Sequence, residues 1–135
     1  MANLLEVFGT DPKAELEGRW TTIHGDCKML LARRNNPAHR RKLEQLTADR
    51  RAELIDDQIP EEELEDFANQ AASTTIILDW ENLSFDGEST VPYSSEAALS
   101  LLRDERLRDL RLMVFIEANS ADNYRLKTIE ADAKN

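Results

Sequence analysis

The hydrophobic period of the sequence changes near Arg34, and this change limits the fold more than any other feature. Between Glu17 and Arg34, β-branched and apolar residues flank Gly25 and Asp26, a pair suited to a tight reversal between two strands. After Arg34, apolar residues recur at the spacing of amphipathic helices. We therefore predict a mainly α (α+β) protein, with a small N-terminal β-hairpin packed on a bundle of four or five helices.

Capping residues indicate where the first helices begin. Asn36 can cap a helix that has Pro37 at its first position, and the leucines that follow extend this helix to about Asp56. Pro60, followed by three glutamates, predicts the start of a second helix. Its helical spacing continues to Leu78, and the alternative for the β-branched run at 74–78 is a strand.

The second half of the chain predicts a loop and further helices. The loop runs from Glu81 to Tyr93, and Ser94 or Ser95 can cap the helix that follows it. The next helix, at about 105–118, contains LRLMVFIEA and is apolar nearly all round, which predicts burial on most sides, inside a bundle or in a subunit contact. A last amphipathic piece carries Tyr124, Leu126 and Ile129. We expect one domain, 1–135, with 1–16 and 125–135 as candidate flexible segments.

Charge is strongly negative overall and unevenly distributed. The formal net charge is −10, from 27 acidic and 17 basic residues, which disfavours nucleic-acid binding. Basic residues cluster from Lys28 to Arg51 and acidic residues from Asp56 to Asp66, as expected of solvated faces that attract each other or a neighbouring subunit. The N-terminal segment lacks the pattern of an export signal, so we expect the protein to stay in the cytoplasm and off the membrane.

Residues that could carry catalysis or bind a metal are few. His24, Cys27 and His39 are too few for a metal site, and no third group accompanies them to orient a nucleophile. The many carboxylates lie on segments predicted to be exposed, and no glycine-rich phosphate loop is present. We therefore predict a non-enzymatic protein without cofactor or metal.

An aromatic cluster surrounds the predicted loop in a chain that is poor in aromatic residues. Trp80, Phe85 and Tyr93 lie within fourteen positions of one another. Two interpretations remain open for Trp80 and Tyr93. They fix the two ends of the loop to the core, or they belong to a binding interface, where Trp and Tyr are favoured.

Several motifs together resemble the tail assembly chaperones of long-tailed (siphovirus-type) bacteriophages and related prophages. They are LDWENL at 78–83, Gly87, VPYSSEAALSLL at 91–102, EGRW at 17–20, LLARRNNPAHRRKLEQL at 30–46, and Tyr124. The resemblance covers about 18–124 and departs from the family pattern at Ser95, where a proline often follows the serine.

The resemblance implies that the protein binds the tape measure protein, keeps it soluble during tail assembly and is absent from the mature virion. It also implies homo-oligomers, either rings or open helical assemblies. The partner-binding candidates are Trp80, Phe85, Tyr93, Arg33, Arg34, Met113 and Phe115. The alternative function is a structural tail or head-to-tail component that the virion retains.

The resemblance implies one more partner, the tail tube protein, through a longer product made by a −1 ribosomal frameshift. Ala133, Lys134 and Asn135 can be encoded by a slippery heptamer, although such a terminus also arises by chance. A polar chain end can be extended without disturbing a folded domain.

Overall fold

A computed structural model describes residues 1–126. The hairpin is confirmed. Strand β1 (Arg19–His24) pairs antiparallel with β2 (Cys27–Leu31), in a register that runs from Arg19 opposite Leu31 to His24 opposite Cys27. Gly25 in the turn has a φ of 59°, a left-handed conformation that glycine adopts without steric cost.

A third strand completes the sheet, in the order β1-β2-β3. Strand β3 (Ile77–Glu81) is antiparallel to β2 and places Trp80 opposite Met29. The prediction that helical spacing continues to Leu78 is therefore wrong, and the strand alternative is correct for this part of the run. The reason is tertiary, because Ile76 and Ile77 are adjacent yet both fully buried, and pairing with β2 overrides the local period.

The helices confirm the predicted mainly α class. Two short helices, α1 (Leu4–Phe8) and α2 (Pro12–Glu17), precede the sheet. They are followed by α3 (Pro37–Thr47), a 3₁₀ turn at Ala48–Arg50, α4 (Arg51–Ile55), α5 (Glu61–Thr75), α6 (Ser95–Arg103), a 3₁₀ turn at Glu105–Leu107, α7 (Arg108–Asn119) and a 3₁₀ turn at Ala121–Tyr124. Two predicted caps are present, since Asn36 caps α3 and Ser94 caps α6.

The buried core joins the sheet to the second half of the chain. Met29 and Leu31 of β2 pack in one cluster with Ile76, which follows α5, and with residues of α5, α6 and α7, namely Ala72, Ala98, Leu101, Leu102, Val114 and Ala118. The buried alanines allow close approach of the helices, because a methyl group adds little width to a helix.

Helix α7 is not enclosed by its own chain. Val114 and Ala118 are buried, but Leu112 and Ile116 are 60% and 58% exposed. The prediction of a helix buried inside its own bundle is therefore wrong, because α7 lies at the surface of the core with one face outward. The other alternative, a subunit contact, stays a prediction.

The loop between β2 and α3 ties several elements together through backbone bonds. The Ala32 N–H donates to the carbonyl of Ile76 at 2.8 Å, and the Arg34 N–H donates to that of Ala118 at 2.8 Å. The Tyr124 hydroxyl donates to the Leu31 carbonyl at 2.8 Å. The ends of α5 and α7 are therefore tied to this loop, and the buried Tyr124 is tied to the last residue of β2.

His39 lies buried in the first turn of α3 and holds the same loop. Its Nδ1 accepts a hydrogen bond from the N–H of Asn35 at 3.1 Å, where Asn35 has a φ of 66°. Burial, and to a smaller degree the nearby charge of Arg34, lower the pKa of His39. Protonation would replace the Nδ1 acceptor with a second donor that faces the Asn35 N–H.

We expect the protein to lose stability as the pH falls from about 7.5 to about 5.5, through the ordinary histidine pKa near 6.5. The folded-state pKa lies below the unfolded one, so the unfolded chain binds the proton first and acid favours unfolding. Thermal melts across this range measure the effect. His39→Asn, whose amide oxygen can replace Nδ1 as the acceptor, should flatten the dependence. An equally steep dependence in that variant would contradict the assignment.

Candidate partner-binding surfaces

Trp80 and Tyr93 fix the two ends of the loop that connects β3 to α6. Their rings meet edge to face, with centroids 5.0 Å apart and an interplanar angle of 86°. The Trp80 Nε1–H donates to the carbonyl of Val91 at 2.7 Å, and the Tyr93 hydroxyl donates to that of Ile77 at 2.8 Å. Trp80 is only 6% exposed, and burial raises the pKa of the half-buried Tyr93. The geometry agrees with the interpretation that these two residues anchor the loop to the core.

The tip of the loop is organised by Asp86. Its Oδ1 accepts hydrogen bonds from the N–H groups of Glu88 and Ser89, at 2.8 and 3.0 Å, and from the Ser84 hydroxyl at 3.0 Å. These bonds, the two backbone N–H donors first, lower the pKa of Asp86 to about 2. Phe85 lies inside this network with 61% of its surface exposed. The loop therefore presents Phe85 to solvent in a preorganised turn.

A second exposed apolar surface lies on α7, and we call Leu112 and Ile116 the α7 ridge. The two side chains are four residues apart and therefore stack on one face of the helix. Met113 and Phe115, the sequence candidates on this helix, are half-buried beside the ridge, and Phe115 packs against the core.

Arg111 holds α7 in place against α5. Its Nε–H donates to Oδ1 of the buried Asn69 at 2.7 Å, and its other end pairs with Glu65 at 2.6 Å. The same guanidinium lies 5.3 Å from the centroid of the Phe115 ring, a cation–π distance. The α7 ridge therefore stands on a helix whose position is fixed.

The two arginine candidates have different environments. Arg33 forms an ion pair with Glu15 at 3.0 Å, and its N–H donates to the Glu15 carbonyl, so it fixes α2 to the loop after β2. The side chain of Arg34 is exposed. Lys134 and Asn135 lie outside the described residues.

Several exposed apolar residues escaped the sequence analysis. The apolar composition of α7 did not reveal that Leu112 and Ile116 share one exposed face, and the apolar residues of α1 resembled only a weak export signal. Leu4, Leu5, Val7 and Phe8 are all at least half exposed. The signal that could have found α1 is its density of apolar residues in a segment with an N-cap at Asn3.

The histidine and cysteine residues that were considered for a metal site or a nucleophile do not form one cluster. His24 and Cys27 are opposite each other at the hairpin turn, whereas His39 is buried on α3. Burial, and then the charge of Asp26, raise the pKa of the Cys27 thiol. Within residues 1–126, no group of three or more His, Cys, Asp or Glu side chains is placed to hold a metal ion. No helix in the same range is long and apolar enough to cross a membrane.

Comparison with known proteins gives one family. No curated protein and no solved structure matches the chain. The family model described as "YdaY prophage protein" matches residues 34–135, which is more than half of the chain and includes the loop with Phe85 and the whole of α7. The chain therefore belongs to the YdaY prophage protein family.

Proposed function

We propose that this prophage protein is a non-enzymatic tail assembly chaperone that binds helical segments of the tape measure protein. The observation that carries the proposal is the α7 ridge, an exposed apolar pair on a helix whose opposite face is buried in the core. A helical client can lay its apolar face against such a surface, with contacts repeated every three or four residues. The chaperone resemblance of the sequence supports the same assignment.

The size of the ridge suits a reversible contact. Full burial of a leucine or isoleucine is worth about 1.5–3 kcal/mol, so covering the exposed part of Leu112 and Ile116 gives roughly 2–3 kcal/mol together. A single contact of this size binds weakly. Weak binding suits a protein that must later release its client. The net charge of −10 keeps a complex with an apolar client soluble.

Phe85 is a second candidate contact for the client. A rigid aromatic side chain in a preorganised turn loses little conformational entropy on binding, which favours it as an anchor residue. Trp80 and Tyr93 contribute by holding the loop.

Self-association belongs to the same proposal, as a ring or an open helical assembly. The oppositely charged segments are partly neutralised within one chain, because Arg50 pairs with Glu53 at 2.8 Å and also with Glu63. Arg40 and Arg41 on α3 are exposed and have no ion-pair partner among residues 1–126, so they remain available to acidic residues of another copy.

Location and the longer product complete the proposed function. The chaperone acts in the host cytoplasm and is absent from the mature virion, whereas the alternative structural tail or head-to-tail component would be retained. Mass spectrometry of purified particles separates the two. Recruitment of the tail tube protein by a frameshift product is decided by the codons for Lys134 and Asn135 and by an open −1 frame beyond them.

The test of client binding is co-expression with tape measure segments from the same prophage. We expect Leu112→Gln/Ile116→Gln to weaken binding at least tenfold and to lower the soluble fraction of the client, since about 1.4 kcal/mol corresponds to a factor of ten. Glutamine preserves helix propensity, so the fold should be kept. Leu54→Gln/Ile55→Gln, an exposed apolar pair on α4, is the matched control.

Phe85→Ser measures the contribution of the loop in the same assay. Unchanged client binding in the folded ridge variant would remove α7 as the client site. Unchanged binding in both the ridge and the Phe85 variants would remove the chaperone assignment made here.

A further inference from the structure

Helix α1 is an apolar element that residues 1–126 leave largely uncovered. None of its residues is buried, and its four large apolar side chains are each at least half exposed. Isolated helices of this length are not stable in water, even when they are capped, because nucleation is costly. A helix with these properties is expected to be covered by another surface.

Helix α1 is nevertheless held in a defined position. Asn3 caps its start, and the Gly9 N–H donates to the Leu5 carbonyl at 2.9 Å. Its C-terminal end is fixed by the Leu126 N–H, which donates to the Gly9 carbonyl at 3.1 Å, and by Arg125, which donates to the Phe8 carbonyl at 2.9 Å. These bonds present α1 as a preorganised arm, which lowers the entropic cost of docking.

We propose that α1 of one copy docks on the α7 ridge of a second copy, and that the second copy returns the same contact. Both surfaces are apolar, both are exposed, and neither covers the other within its own chain.

The area requires the contact to be reciprocal. If each of the six side chains is given roughly 150 Å² when fully exposed, the lower end of the range for aromatic residues, then α1 and the α7 ridge together expose roughly 550 Å². One such contact is too small for a stable interface, which needs about 1,000 Å². Two symmetric contacts reach that size, so this interface is isologous and joins two copies, and a ring or an open helical assembly needs a second interface between such dimers.

The inference rests on the proposed function in one respect only. If the α7 ridge also binds the client, then α1 and the client compete for it, and the dimer is the resting form of the chaperone. The docking of α1 itself requires no client.

Sedimentation equilibrium from the micromolar to the millimolar range tests the contact. We expect Leu5→Gln/Phe8→Gln and Leu112→Gln/Ile116→Gln each to raise the dimer dissociation constant at least tenfold. The α4 control pair Leu54→Gln/Ile55→Gln should leave it unchanged. Added salt should have only a small effect, since the contact is mainly apolar. A protein that stays monomeric throughout the range overturns the proposal, and so does dimerisation that salt abolishes but both apolar variants leave intact.

Cross-linking identifies the partner surface even if a variant weakens the fold. In a Cys27→Ala background, separately purified Phe8→Cys and Ile116→Cys chains are mixed and oxidised. We expect a mixed disulfide between the two chains to form faster than either homodimer. Rapid Phe8→Cys homodimer formation without the mixed product would show pairing of α1 with α1 and would overturn the assignment.

The two proposals can fail separately in these assays. If the ridge variant loses the dimer but keeps client binding, the client site lies elsewhere and the α1 contact stands. If the α1 variant keeps the dimer while the ridge variant loses client binding, the α1 contact fails and the client site stands.

Discussion

Replacing Trp80 with alanine is expected to lower the free energy of unfolding by about 3–5 kcal/mol, the usual cost of truncating a buried aromatic side chain. Trp80 is 6% exposed, lies opposite Met29 in the sheet and meets the edge of Tyr93. The truncation also leaves the Val91 carbonyl without its indole donor. Since domains are stable by about 5–15 kcal/mol, this one change removes a large share of the total.

Urea denaturation followed by circular dichroism measures the effect, and Trp20 remains as a fluorescent probe in the variant. Phe85→Ala is the matched control in the same loop. Phe85 is exposed, so its loss should change stability by no more than about 0.5 kcal/mol. A Trp80→Ala cost below about 1 kcal/mol would contradict the assignment of Trp80 to the core.

The sequence was most informative where structure is determined locally. The Gly25-Asp26 reversal, the Asn36 cap with Pro37 after it, and the Ser94 cap are all present as predicted. Each of these features depends on residues within three or four positions. Local propensity and capping were therefore sufficient to predict the hairpin, the start of α3 and the start of α6.

Features that depend on distant neighbours were left open or missed. Strand β3 exists because Ile77–Glu81 pairs with β2, far earlier in the chain, and a window of sequence does not contain that partner. The exposed face of α7 has the same cause. Apolar periodicity shows that a helix can be buried, but it does not show how many other elements surround it.

The candidate binding surfaces divide in the same way. The sequence located the aromatic loop, but only the structure shows that Trp80 and Tyr93 anchor it and that Phe85 is presented. An aromatic residue that anchors a loop and one that binds a partner look the same in sequence. Only the exposed fraction of the side chain distinguishes the two roles. Helix α1 and the α7 ridge became candidates only when their apolar side chains were found uncovered.

The junction that holds these surfaces together is centred on Asn36. The residue is 3% exposed, and its Oδ1 caps α3 by accepting from the His39 N–H at 3.0 Å. Its Nδ2 donates to the Arg33 carbonyl at 2.8 Å and to the Thr75 carbonyl at the end of α5 at 3.1 Å. One side chain therefore joins the start of α3, the loop after β2 and the end of α5.

Asn36→Ala is expected to destabilise the protein by about 2–4 kcal/mol, because it removes a cap and leaves two carbonyls without this donor. Ser94→Ala, which removes only the cap of α6, is the matched control and should cost about 1 kcal/mol. Asn36→Asp keeps the acceptor for the cap but turns a carboxylate toward two carbonyl oxygens, so it should be no more stable than Asn36→Ala. Denaturant midpoints of the three variants decide the matter. Equal losses in Asn36→Ala and Ser94→Ala would show that the contacts to Arg33 and Thr75 add nothing, whereas an intact Asn36→Asp would show that the cap alone holds the junction.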